Sequence, residues 1–188
     1  MKRVAVLISG RGTNLQALLD AKQNAYTIAL VISNAPNVEG LDRARDAGVE
    51  ALTIDHKPFG KDREAFERKI DQELRAREID IVALAGFMRV LTPFFVRAWA
   101  GRLVNIHPSL LPKYPGTNTH ARALEAGDAW HGASVHLVVE EVDAGEIIGQ
   151  ARMPIEPGDT PETLARRLLA IEHDLYPRCL EEFARGLG

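Results

Sequence analysis

Arg3-Val4-Ala5-Val6-Leu7-Ile8-Ser9-Gly10-Arg11-Gly12-Thr13-Asn14-Leu15-Gln16 is the stretch on which the fold turns. Its apolar run, without polar alternation, suits a strand buried on both faces. Ser9-Gly10-Arg11-Gly12 reads as a tight turn, and Thr13-Asn14-Leu15-Gln16 as a capping box that opens a helix. Strand, glycine turn and helix are the first half of a βαβ unit. The pattern repeats outward from there. Further strands are expected at Thr27 to Ser33, Glu50 to Ile54, Ile79 to Ala85 and Leu103 to Ile106. Between them run amphipathic helical stretches, with Asn37 and Asp62 placed to cap and Gly48 placed to stop. In the third helix Phe66, Ile70 and Leu74 form a narrow apolar stripe on a charged, solvated segment from Arg63 to Glu78.

After Ile106 the regular alternation ends in a proline-punctuated loop, His107 to Gly116, too long to be an idle connection. A short helix is expected from Thr119 to Ala126. Two extended segments follow, Ala133 to Val139 and Glu146 to Pro154, joined through a turn at Asp143-Ala144-Gly145. A last helix opens at Thr160-Pro161 and buries Leu164, Leu168, Ile171 and Leu175; Pro177 is expected to break or kink it. The fold class that results is α/β: an open, doubly wound, mostly parallel sheet extended by an antiparallel hairpin.

The glycine turn aims backbone N–H groups and a helix dipole at whatever lies beyond the first strand, which makes it a seat for phosphate. A turn that needs glycine for conformation alone is the plainer alternative. Two nucleotide motifs are disfavoured. No Gly-Lys-Ser/Thr follows, Leu15 stands in place of a third glycine, and Ser33-Asn34 stands where a dinucleotide site places an acidic residue.

In open α/β sheets ligands sit outside the carboxyl ends of the strands, where Asn105 and His107 fall. Pro108 keeps His107 extended, and residues two apart on an extended segment point the same way, so both face one crevice. Asp143, in the hairpin turn, is the third polar group that folding can bring there. Such a trio suits acyl transfer to an amine: an oxyanion needs a donor, the nucleophile sheds a proton and the leaving nitrogen gains one. Side chains that merely satisfy loop backbone are the alternative.

The chain of 188 residues carries 23 Lys and Arg against 26 Asp and Glu, a net charge of −3, so no global positive field gathers nucleic acid or an anionic membrane. No uncharged stretch approaches the ~20 residues of a bilayer span, and Met1-Lys2-Arg3 leads directly into a strand, so a cytoplasmic protein is expected. Cys179, the single cysteine, excludes an internal disulfide and suits a buried, inert thiol.

Four ordered motifs, Leu7 to Gln16, Ala85-Gly86-Phe87-Met88-Arg89-Val90-Leu91, Asn105-Ile106-His107-Pro108-Ser109-Leu110-Leu111-Pro112, and Gly132-Ala133-Ser134-Val135-His136 running on to Asp143-Ala144-Gly145, resemble those of the folate-dependent formyltransferases across nearly the whole chain. The likeness is to the members that formylate phosphoribosyl glycinamide in purine synthesis, a Rossmann-like fold. Relatives acting on methionyl-tRNA carry an extra C-terminal domain and formyltetrahydrofolate deformylases an N-terminal one, so the resemblance implies a single formyltransferase domain over 1–188. It implies direct transfer from 10-formyltetrahydrofolate as cosubstrate, no metal, small-molecule partners, no nucleic acid and no membrane.

The resemblance also assigns residues. Asn105, His107 and Asp143 are implied as catalytic. Gly12, Thr13, Asn14 and Glu172 are implied for the ribonucleotide, the first three at its phosphate and Glu172 at its ribose hydroxyls. Arg63, Met88, Arg89, Val90 and Leu91, with Val139, Glu140, Glu141 and Val142, are implied for the folate. Ser134 and His136 are implied in support. Asn118 and Leu169 depart from the pattern, standing where relatives often carry a histidine and a polar side chain. Competing readings are a metal-dependent hydrolase using His120, His131 and His136, whose spacing lacks the helical i, i+4 arrangement, and a non-catalytic phosphate-binding module.

Overall fold

In the computed structural model, which describes residues 1–188, alternate residues of the first strand pack into two separate cores. Val4, Val6 and Ile8 face one way and Ala5 and Leu7 the other, as the two-residue side-chain period of a strand requires. The elements in order are β1 (Lys2–Ile8), α1 (Thr13–Asp20), β2 (Tyr26–Ser33), α2 (Glu39–Asp46), β3 (Glu50–Thr53), α3 (Arg63–Ala76), β4 (Ile81–Leu84), α4 (Pro93–Ala98), β5 (Leu103–His107), α5 (Thr119–Glu125), β6 (Trp130–Leu137), β7 (Ile147–Pro154) and α6 (Pro161–Gly186). A single 3-10 turn at Lys57–Phe59 precedes α3.

They build one seven-stranded sheet in the order β3-β2-β1-β4-β5-β6-β7. β1 pairs in parallel with both β2 and β4, and β5 continues in parallel beside β4. β6 and β7 add the antiparallel hairpin, with Asn105 opposite His136 and His107 opposite Ser134. α1 and α6 cover one face over a core of 23 buried residues, and α3 and α4 cover the other over 15. The strand order reverses between β1 and β4, so the carboxyl ends of β1, β4 and β5 open on the crevice where such sheets bind ligands.

Several local expectations change. Gly12, in the left-handed conformation at φ 70°, is the residue before α1, and no side chain caps that helix, so the box expected at Thr13 to Gln16 does not form. Asn37 adopts φ 55° and leaves the cap position of α2 to Val38. Asp62 does cap α3, accepting from the Ala65 N–H at 3.0 Å, and Gly48 ends α2 at φ 72°. α4 is an element the sequence pattern did not suggest; its six residues are too few to display a helical period. α6 runs unbroken through Pro177, and its Thr160 and Thr163 form the capping box. Packing of Leu175, Tyr176, Cys179 and Leu180 into the core carries the helix past the proline, whose missing N–H leaves the His173 carbonyl without its usual donor. No helix of the protein is long and apolar enough to cross a membrane.

Candidate active site

β1 delivers the glycine loop and β4 the Ala85–Gly86 turn to the same crevice, around a cavity of about 280 Å³ lined by Ser9 to Asn14, Ala85, Gly86 and Met88. The N–H groups of Arg11, Gly12, Thr13 and Asn14 donate to no acceptor in the protein, which is the condition for an anion seat at a helix N-terminus. Asn14 Nδ2 donates to Glu172 Oε2 at 3.3 Å, so α1 and α6 bring together two residues 158 positions apart. Glu172 is buried, and burial pushes its carboxyl up to about 7, with the Asn14 bond working against that rise.

Asn105 and His107 sit at the end of β5, the next strand over; Leu84 of β4 lies between Asn105 and Leu7 of β1 in the sheet register. At the usual strand spacing Leu7, two residues before the glycine loop, and Asn105 are therefore separated by roughly 10 Å. Asn105 Nδ2 donates to His136 Nε2 at 3.2 Å, and His136 Nδ1 bonds the Leu137 carbonyl at 2.9 Å. A carbonyl only accepts, so Nδ1 of His136 carries the proton and Nε2 offers the lone pair. Burial holds His136 below the ordinary histidine range, in keeping with this neutral form.

The same logic fixes His107. Its Nε2 lies 2.8 Å from the Tyr114 carbonyl and must donate, leaving Nδ1 facing Asp143 Oδ2 at 3.5 Å. Asp143 stands at φ 54° in the β6–β7 connection, accepts from the Gly116 N–H at 2.7 Å, and places Oδ1 3.6 Å from His136 Nε2. Asn105, His107, His136 and Asp143 thus form one cluster. Ser134 holds the loop that completes it: its hydroxyl accepts from the Leu111 N–H at 3.0 Å and donates to the Ser109 carbonyl at 2.7 Å.

Of the residues matched to a folate pocket, Arg63 Nη1 donates to the Val90 carbonyl at 3.2 Å, tying α3 to the Phe87–Leu91 segment. Met88, which lines the cavity, and Val90 are 78% and 66% exposed, large apolar side chains standing in solvent. Arg89 lies 5.9 Å from the centre of the Phe66 ring. In the β6–β7 connection, the exposed Val139 and Val142 flank Glu140, whose carboxylate pairs with Arg97 at 2.6 Å, and Glu141, whose backbone carbonyl accepts from the Ala144 N–H at 3.4 Å.

Three participants escaped the sequence. Ser9 Oγ accepts from the Met88 N–H at 2.8 Å and donates to Asn34 Oδ1 at 2.5 Å, joining the glycine loop to the Met88 segment. Glu67, buried under that segment, accepts from the Thr92 N–H at 2.8 Å and from the Thr92 hydroxyl. The Tyr114 carbonyl selects the tautomer of His107. Ser9 lay inside the quoted motif, but backbone partners leave no mark on residue type. His120 and His131 bond each other, Nδ1 to Nε2 at 2.9 Å.

A doubly wound sheet with a candidate anion seat at its switch point and a carboxamide, imidazole and carboxylate at the end of β5 places the protein in the ligand-binding α/β class. Comparison with known proteins makes that narrower. The family model described as formyl transferase matches residues 2–180, and the chain belongs to that family. It is 51% identical over 190 residues to the trifunctional purine biosynthetic protein adenosine-3 of Drosophila melanogaster, covering 98% of this chain but only 14% of that one. It is 48% identical to the phosphoribosylglycinamide formyltransferase of Escherichia coli strain K12, covering 97% of this chain and 87% of the other. Among solved structures, glycinamide ribonucleotide transformylase 1 from Symbiobacterium toebii superposes with a TM-score of 0.93 at 44% identity, covering 99% and 89% of the two chains.

Proposed function

We propose that this protein, as a single domain over 1–188, transfers the formyl group of 10-formyltetrahydrofolate to the amine of N1-(5-phospho-D-ribosyl)glycinamide, a cytoplasmic step of purine synthesis among small molecules only. The observation that carries the reading is the convergence of Asn105, His107 and Asp143 two strands along from an anion seat with unbonded N–H groups. Gly12, Thr13 and Asn14 take the phosphate, and Glu172 takes the ribose hydroxyls. The amine then lies at Asn105, with the reduced folate entering between Met88–Leu91 and Val139–Val142 and its acidic tail towards Arg63.

The amine nitrogen attacks the formyl carbon, the carbonyl oxygen gathers the charge, and the carbon–N10 bond of the folate breaks as the proton lost by the amine passes to N10. One Asn105 amide hydrogen is held by His136, which turns the other towards the oxyanion. His107 Nδ1 and Asp143 face each other across a gap of 3.5 Å, a pair able to hold a proton in transit, through water to the amine or to N10. His136 and Ser134 support these groups rather than meeting substrate.

Purified protein given both substrates should formylate the ribonucleotide in proportion to folate consumed. Asn105→Ala should lower kcat by ~10²–10³, the usual cost of one oxyanion donor, with much smaller changes in KM. Absence of folate-dependent formylation by the wild type, or an unchanged kcat in the variant, overturns the reading.

A further inference from the structure

The glycine loop is gripped from behind by α2. The Gly40 N–H donates to the Gly10 carbonyl at 3.1 Å, and Arg43 Nε donates to the Arg11 carbonyl at 2.8 Å. The contact admits no side chain: a Cβ on Gly12 would lie 2.8 Å from Gly40 Cα, and one on Gly40 would lie 2.4 Å from Ile8 Cδ1 and 2.9 Å from the Gly10 oxygen. In a trans peptide the C=O and the following N–H point in opposite directions. Drawing the Gly10 and Arg11 carbonyls onto α2 therefore turns the N–H groups of Arg11 and Gly12 away from it. The cavity lies on that far side, since no residue of α2 lines it. The Gly12 carbonyl meanwhile accepts from the Gln16 N–H at 2.9 Å, which points the Thr13 N–H out of the start of α1.

We infer that Arg43 is a positioning residue for the phosphate group of the substrate, acting through the Arg11 carbonyl. This rests on the ribonucleotide reading of the site. The guanidinium is not itself a phosphate ligand. Nη1 donates to Gln16 Oε1 at 3.2 Å and Nη2 to Glu39 Oε1 at 2.5 Å, so all three nitrogens are engaged and the charge is paired. Gln16 and Glu39 hold the fork in place. Arg43 lies behind the loop and fixes which way its donors face, a role that needs a directed N–H rather than a positive charge.

The test compares wild type, Arg43→Met and Arg43→Lys, reading KM for the ribonucleotide, KM for the folate, kcat, and the binding constant of inorganic phosphate. Both variants should raise the ribonucleotide KM and the phosphate dissociation constant together by about tenfold, leaving kcat and the folate KM within about twofold. Full recovery in Arg43→Lys would assign the effect to charge and overturn the inference, as would unchanged phosphate binding in a folded Arg43→Met. If Arg43→Met does not fold, Gln16→Ala removes the Nη1 acceptor from a half-buried position and should raise the phosphate dissociation constant about threefold; no change overturns the inference. Wild type that binds inorganic phosphate but transfers no formyl group refutes the proposed function, while the phosphate measurements still decide the part played by Arg43.

Discussion

Asn105 has two amide hydrogens and one is already committed to His136, so under the proposed chemistry the other would meet the oxyanion with its orientation set beforehand. That is the physical content of the ~10²–10³ loss expected in Asn105→Ala. Glu172 supports a second prediction at this scale. Burial raises its carboxyl to about 7, so near neutral pH it passes from a protonated form to an ionised form that accepts hydrogen bonds from ribose hydroxyls more strongly. KM for the ribonucleotide should therefore fall as pH rises through about 7, beyond the change caused by the phosphate's own ionisation, and Glu172→Gln should lose that extra dependence. Parallel KM profiles in the two proteins would refute the assignment. Residue spacing made Asn105 and His107 legible, because two positions on one extended strand share a face. It did not place Asp143 against His107, or Asn14 against Glu172, since both contacts are products of tertiary packing.

Elements were legible where their periods were long. The five parallel strands and the hairpin followed from apolar runs punctuated by glycine, whereas caps depend on single backbone angles that Thr13 and Asn37 do not announce. The Phe87–Leu91 segment shows what such local reading misses. It is held from below by Glu67 of α3, whose two oxygens accept from the N–H and hydroxyl of Thr92, and from the side by Ser9. Burial lifts the Glu67 carboxyl above its usual range, while the Thr92 bonds and Arg63 oppose that rise. Glu67→Ala would leave two Thr92 donors without their acceptor, at ~1–3 kcal/mol each where buried. Thr92 is half-buried, so a total of ~2–3 kcal/mol should lower Tm by roughly 4–12 °C in a chain of this size, and the change should raise the folate KM while sparing the ribonucleotide KM. A scanning-calorimetry shift under about 2 °C, with both KM values unchanged, would show that Glu67 does not hold the segment.

Across the whole molecule, one sheet separates two cores and brings its antiparallel hairpin back over the carboxyl end of β5, so His107 and His136 are buried beside the candidate site. His131 pays most in this arrangement: burial, with His120 next to it, holds its pKa down to about 4, and His120 and His136 are lowered too. A histidine whose folded pKa lies below its unfolded value of about 6.5 binds fewer protons in the native state between those two limits, so stability is lost as pH falls through that window. Between pH 7.5 and 5.0 the His131 contribution should amount to about 2 kcal/mol. Glu172 acts in the opposite sense, its raised pKa removing stability as pH rises towards about 7, but it is present in both proteins when wild type is compared with His131→Gln. Urea unfolding at the two pH values should therefore show wild type losing about 2 kcal/mol more than the variant, whatever the variant's stability at pH 7.5. Equal losses would mean that the pair of half-buried His120 and buried His131 does not set the acid limit of the fold.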